Sequence, residues 1–404
     1  MLTLVIVGLT YIGIAFGRIP KFRTNRTTIS LIGVSFLVVF KFVTIQEFAD
    51  YIDMDTIILL FAMMIINANL RLAGFFQLAA NQLIKFARSP RIMLLSVIFL
   101  SASLSAIFLN DTICLMLTPF IIDLTQTLKR NPIPYLIALA TAANIGSTAT
   151  LTGNPQNMII GIASGINYLD FLKSLAPIAI LGSFSVFFIL VLLYPEEFKK
   201  QLFDIQVDHK VRIYKPLLSK SLIVISGLLV AFLVGIPVST AAFVAAAILL
   251  ITRRLSPNKV FAEFDWSLLV FFSSLFILTG VLNNTGLIQS LFSNWNLADR
   301  VNPANLTISS AILSNLVSNV PAVLLMKQVI SQLSNPIPAW LTLASAASLA
   351  GNFTLLGSVA NLIVSETAQN RNVNLSFWEY TRAGFLITII TLIIHWIWIT
   401  IFVW

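Results

Sequence analysis

An all-helical, polytopic membrane protein is the fold class this sequence predicts, arranged as two inverted repeats of five spans plus one re-entrant hairpin each. Three observations predict it. Of 404 residues, 58% are hydrophobic and only 10% are charged, against about 25% charged in soluble domains. Apolar runs long enough to cross a hydrocarbon core of about 30 Å recur along the whole chain. Finally, residues 131–157 (NPIPYLIALATAANIGSTATLTGNPQN) align without gaps on residues 335–361 (NPIPAWLTLASAASLAGNFTLLGSVAN), with 12 identities in 27 positions at an offset of 204. The runs are continuous rather than alternating, which excludes a barrel.

The elements follow in order. Full crossings are expected near residues 2–17, 28–45, 55–71, 133–163, 174–194, 219–235, 238–252, 266–283, 337–366 and 382–402. Two apolar stretches do not fit as simple crossings. Residues 92–128 carry a polar turn at Asn110-Asp111-Thr112, and residues 305–333 carry one at Ser318-Asn319. Their limbs read as too short to span separately, so both are expected as re-entrant hairpins, a form tolerated at membrane depth only where it lines a cavity or is buried in protein. Residues 75–86 and 288–295 read as interfacial helices. The first repeat is 1–194, with hairpin 92–128 and broken helix 133–163. The hydrophilic linker is 195–218. The second repeat is 219–404, with hairpin 305–333 and broken helix 337–366.

Charge gives the orientation. With both hairpins re-entrant, only Lys41, Lys173, Arg300 and Lys327 of the 25 Lys and Arg fall on one side. The crowded side is then cytoplasmic, and both termini lie outside a cell (inner or plasma) membrane. Five crossings per half is an odd number, so the halves have opposite orientations.

The net charge of +9 reflects this asymmetry and does not indicate nucleic acid as a partner; the expected partners are the bilayer and a small solute. The single cysteine, Cys114, excludes a disulfide framework. His209 and His395 have no metal-ligand spacing, and His395 is expected as a satisfied structural histidine. Neither a phosphate-binding Gly-Lys loop nor a Gly-x-Ser-x-Gly elbow is present. No enzyme and no cofactor are therefore expected.

Inverted repeats with interrupted helices in matching positions point to a secondary transporter with a midplane site. The break at Gly153-Asn154-Pro155 frees backbone groups at mid-membrane. Pro155 removes a donor and Gly153 permits the turn. Half-helix ends can then hold an ion of either sign. The candidate solute- and ion-binding residues are Asn110, Asp111 and Thr112 at the first tip; Ser147, Thr150, Gly153, Asn154, Pro155 and Asn157 at the first break; Ser318 and Asn319 at the second tip; and Thr354, Gly357 and Asn361 at the second break. A transient sodium site is expected near Asn110, Asp111 and Gly153. Asp111 is the acidic residue placed at membrane depth, where a carboxylate must be protonated, paired or cation-bound. The competing reading is a Ser/Thr/Gly-rich helix that merely packs tightly.

"FLNDTICLMLTPFI" with "NIGSTATLTGNPQNMIIG", then "SNVPAVLLM" with "GNFTLLGSVANLI" and "WEYTRAG", resembles the ion-transporter superfamily. Within it, the chain is similar to the arsenite-permease/NhaD-type and citrate-transporter-like group, relatives of divalent anion:sodium symporters. The resemblance implies a homodimer whose transport domain moves as an elevator against a scaffold domain, with solute and coupling ion at the tips and breaks. Tips of the related dicarboxylate symporters read Ser-Asn-Thr. Here the second has Val320 in third place, and the first reads Asn110-Asp111-Thr112 after Leu109. The hydroxyl pair for carboxylates is incomplete, and an Asn-Asp tip looks more like arsenite permeases. The expected function is secondary active transport of a small anion or oxyanion coupled to protons or sodium. The alternatives are arsenite efflux, sodium/proton antiport and, from a different class, an anion channel. Two dead-end hairpins argue against a continuous pore.

Overall fold

The computed structural model describes residues 2–17, 22–86, 88–199, 213–252, 255–286 and 302–404. The expected interfacial segment 288–295 and most of the linker lie outside the described residues. The described residues are helical, without strands.

The two broken helices form the core. The first consists of Pro132–Ser147 and Pro155–Ser164, separated by seven non-helical residues. Asn131 caps the first half by accepting from the Ile133 amide at 3.0 Å, and Pro132 occupies the first helical turn, where a missing N–H costs nothing. Residues Pro134 to Ser147 are all buried, as expected of a helix that is apolar on every face. Asn154 caps the second half by accepting from the Asn157 amide at 2.9 Å. The second broken helix repeats the plan. Pro336–Ala350 is buried from Pro338 onward, and Val359–Gln369 starts at Ser358, whose hydroxyl accepts from the Ala360 amide.

Two helical hairpins pack on this core. The first has arms Pro90–Ile107 and Asn110–Thr127; the second has arms Pro303–Val317 and Asn319–Ile330. Each first arm packs on the first half of its own repeat's broken helix. Each second arm packs on the second half of the other repeat's, Asn110–Thr127 on Val359–Gln369 and Asn319–Ile330 on Pro155–Ser164.

The expectation that every arm is too short to span is corrected here. Pro90–Ile107 has 18 residues and is among six described helices long and apolar enough to cross a membrane. Tip position, not length, makes this pair a hairpin. The Asn110 amide donates to the Gly153 carbonyl at 3.0 Å, inside the broken helix. Both bases meet the segment after Leu193: Arg91 donates to the Phe198 carbonyl at 2.9 Å, and Arg130 pairs with Glu197 at 2.9 Å. Conversely, three expected crossings are short, as Leu2–Phe16, Arg26–Val39 and Val238–Leu250 have 15, 14 and 13 residues.

Loop contacts fall into two sets. Arg71 pairs with Glu263, and Arg371 with Asp123. Tyr194 donates to Glu379 at 2.6 Å. On the other set, Lys327 pairs with Asp53 and Ser239 donates to Asp55. No ion pair among the described residues joins loops that the charge count assigns to opposite sides. His395 is fully buried in the last helix, Phe377–Phe402, with its ring nitrogens against Thr307 and Ser345 hydroxyls at 3.1 and 3.0 Å. It pins that helix to the second hairpin and the second broken helix.

Candidate functional site

The breaks are held open by amides that replace missing backbone bonds. Asn157 donates from Nδ2 to the carbonyls of Ser147 (3.1 Å) and Thr150 (2.9 Å). Asn361 donates to the carbonyls of Gly351 (2.8 Å) and Thr354 (3.1 Å). All three positions of one set map onto the other at the offset of 204. The freed helix-end carbonyls, which must find partners away from water, are thus satisfied twice by one device. The glycines match as well. A Cβ on Gly153 would lie 2.5 Å from the Ser147 carbonyl oxygen and 2.7 Å from that of Ser105; one on Gly357 would lie 2.7 Å from the Gly351 carbonyl oxygen. These neighbours are backbone and cannot rotate away. Gly153→Ala is expected to destabilise the protein by about 1–3 kcal/mol or more. A detergent-solubilised melting curve unchanged from wild type would refute the close approach.

The two breaks interlock. Asn144 accepts from Asn110 at 2.9 Å and from Ser358 at 3.1 Å, and donates to Asn352 at 2.8 Å and Asn361 at 3.0 Å. Ser348, its counterpart by offset, accepts from Asn154 at 3.2 Å and Gln156 at 3.0 Å. Each repeat's first half-helix therefore touches the cap of the other repeat's second half-helix. Asn154 also donates to Ser147 at 2.8 Å. Thr150 donates to the Ala106 carbonyl in the first arm. Asn319 accepts from Ser314 at 2.6 Å.

A cavity of about 1530 Å³ opens on one side of this network. Of the sequence candidates, Asn110, Asp111, Pro155, Ser318 and Asn319 line it. The structure thus brings both tips and the first break to one space. Ser358 and Leu356 of the second break line it too. The remaining candidates do not. Ser147, Thr150, Gly153, Asn154, Asn157, Thr354, Gly357 and Asn361 stand behind the wall and shape it. Thr112 points elsewhere and accepts from Asn67 at 3.4 Å.

Sequence reasoning missed several cavity residues. Asp265 and Glu366 line it alongside Asp111, so Asp111 is not its sole carboxylate. Arg26 is the one cation among the described lining residues. It opens the helix Arg26–Val39, and its Nη2 donates to the Leu356 carbonyl at 3.3 Å. Arg26, Asp265 and Asp111 thus share one wall. Gln156 also lines the cavity. The amide oxygens of Asn110 and Asn157 are buried without a hydrogen-bond partner. Oxygen acceptors of this kind have the hard-ligand chemistry that a sodium ion takes. Among the described residues, no three His, Cys, Asp or Glu cluster to hold a metal.

Comparison with known proteins decides the family. The model of a family described as citrate transporter matches residues 11–335. The chain belongs to the citrate transporter family. It is a multi-pass membrane transporter, not an enzyme. Members and relatives resemble it over nearly their full lengths. The silicon efflux transporter LSI3 of Oryza sativa is 29% identical over 93% of this chain and 92% of its own. A 46 kDa membrane protein of Mycobacterium leprae is 30% identical over 96% of each. A putative transporter, arsB, of Dictyostelium discoideum is 26% identical over 92% of this chain and 86% of its own. Among solved structures, the YdaH transporter of Alcanivorax borkumensis, described as having an unusual topology, matches with a TM-score of 0.59 at 15% identity. It covers 98% of this chain and 94% of that one, a likeness of fold alone.

Proposed function

We propose that this citrate-transporter-family member is a secondary active transporter of a small oxyanion or oxyacid, coupled to protons or sodium through the Asn110-Asp111 tip. The observation that carries the reading is the convergence of Asn110, Asp111, Ser318 and Asn319 with Pro155 and Gln156 on one cavity. A site where two dead-end hairpins meet two broken helices can be reached from either side only by moving the elements around it, which is alternating access rather than a pore. In this reading the matched contacts reflect two repeats of opposite orientation, the basic loops face the cytoplasm, both termini lie outside, and the hairpins and broken helices move as one transport domain within a homodimer.

Wall charge selects among solutes. One guanidinium faces three carboxylates among the described lining residues. A trivalent anion would meet net repulsion. A hydroxyl-bearing weak acid, neutral or singly charged, would meet amide and hydroxyl partners instead. The names of the rice silicon efflux transporter and the Dictyostelium arsB support this reading. Arsenite and orthosilicate are therefore the first probes. A ligand at 100 times its Kd stabilises the folded state by about 2.7 kcal/mol, a clear rise in melting temperature. The expected result is a rise with one of these probes, enhanced by sodium or low pH, and none with citrate. A rise with citrate alone would reverse the charge argument.

A further inference from the structure

Arg26 has a poor set of partners for a guanidinium in a cavity wall. Its Nη1 is buried and makes no hydrogen bond. Its Nη2 reaches the Leu356 carbonyl at only 3.3 Å, just beyond the usual range of about 2.7–3.2 Å for such bonds. Among the described residues it has no ion-pair partner: Asp111 and Asp265 share the cavity with it, yet neither comes within 4.0 Å of it. The guanidinium thus keeps a buried donor without a partner in the wall of a cavity that Asp111 also lines. Helix Arg26–Val39 belongs to neither hairpin nor broken helix, so the two groups arrive from separate parts of the fold.

We propose that Arg26 is the specificity-determining contact of the solute site, donating to an acceptor oxygen of the bound oxyacid while Asp111 accepts from a hydroxyl of the same molecule. This rests on the transport reading above and deepens it. The pair demands a solute that is acceptor on one edge and donor on the other. A fully deprotonated oxyanion offers Asp111 no donor. A solute without acceptor oxygens leaves the guanidinium unpaired, and charge-assisted bonds of this kind are the strong ones. Lysine, a point charge without the fork, reproduces the contact only in part.

The test uses the full chain in proteoliposomes, with arsenite and orthosilicate as probes and citrate as the control. For whichever probe the wild type carries, Arg26→Gln is expected to raise half-saturation at least tenfold, with Arg26→Lys in between. Melting temperature should stay near wild type in both. If Arg26 only tethers the Leu356 segment, the maximal rate or the folded yield falls while half-saturation stays constant, and the proposal is overturned. Unchanged kinetics in Arg26→Gln also overturn it, and leave the transport reading standing. If the wild type carries neither probe, the oxyacid reading itself falls, and this proposal with it. Should both variants misfold, the wild-type protein still decides. Phenylglyoxal modification of Arg26, read by peptide mass spectrometry, must be slowed by a saturating bound probe. Modification at an unchanged rate in the presence of that probe contradicts the contact.

Discussion

Asp111→Asn is expected to abolish gradient-driven accumulation while solute exchange across the membrane continues. The substitution keeps the shape of the side chain and removes its charge. Asp111 lines the cavity beside Asn110, whose buried amide oxygen lacks a partner, and next to the Gly153 carbonyl that receives the Asn110 amide. A coupling cation bound there would lose its only anionic ligand on that tip. A charge in a partly desolvated site has an effective interaction of several kcal/mol with a bound cation, so coupling should fall by orders of magnitude rather than by a fraction. Counterflow needs no net cation movement and should survive. The variant also reports which ion is used. Loss of pH-gradient dependence marks a proton, whereas loss of sodium-dependent thermal stabilisation marks sodium. Concentrative flux in Asp111→Asn with the parental pH and sodium dependence would make Asp111 an uncoupled vestibule carboxylate.

Asn144→Leu should be the most destabilising polar substitution in the core. From the first half-helix of the first repeat, Asn144 joins the first tip to the second repeat's break, through Asn110, Asn352, Asn361 and Ser358. Leucine of similar size would strand three or four fully buried polar groups. At about 1–3 kcal/mol for each unsatisfied group, the sum reaches several kcal/mol. Measured side-chain hydrogen bonds in membranes average only about 0.6 kcal/mol, which pulls the expectation to about 3 kcal/mol. Thr127→Ala, which removes an exposed hydroxyl bonded to the Asp123 carbonyl, should cost under about 0.5 kcal/mol. Equal unfolding midpoints for the two variants in a denaturant titration would show that the interlock of the breaks is not what holds them.

What could be read from the sequence and what could not have physical causes. The interruptions were legible because Gly153, Asn154 and Pro155 have strong local preferences, and because a second copy at the same spacing removes coincidence. The tips were legible because Asn110-Asp111 and Ser318-Asn319 are polar islands in apolar runs. Which candidates would face the solute space was not legible. A break needs more polar groups to rebuild its own backbone bonds than it can present outward, and Asn157 and Asn361 are consumed in that way. Asn144 lies in the helix just before the first break and has the spacing of an ordinary buried helix position; only the fold reveals its four partners. Arg26 and Asp265 sit at helix starts. There a charge reads as an orientation signal or a cap, and Asp265 is indeed a cap, accepting from the Leu268 amide at 3.2 Å. Nothing local indicates that residues 26, 111 and 265 share one wall. Arm length misled for a simpler reason: a helix of 18 residues can run nearly the thickness of a bilayer core and still end against another element inside the protein.

The central claim is that the hairpin tips and the breaks bound one solute site. Ser318 stands at the second tip with φ of 79° and ψ of 159°, on the cavity wall. Ser318→Cys places a thiol there, while the native Cys114 is buried. The direct measurement is the rate at which a membrane-permeant thiol reagent modifies position 318 with and without the transported solute. An exposed cysteine at Asn370, away from the cavity lining, serves as the reference. The account predicts that saturating solute slows modification at 318 at least tenfold and leaves position 370 unchanged. An unaltered rate at 318, under conditions where the same solute raises the melting temperature, would place the solute elsewhere in the molecule.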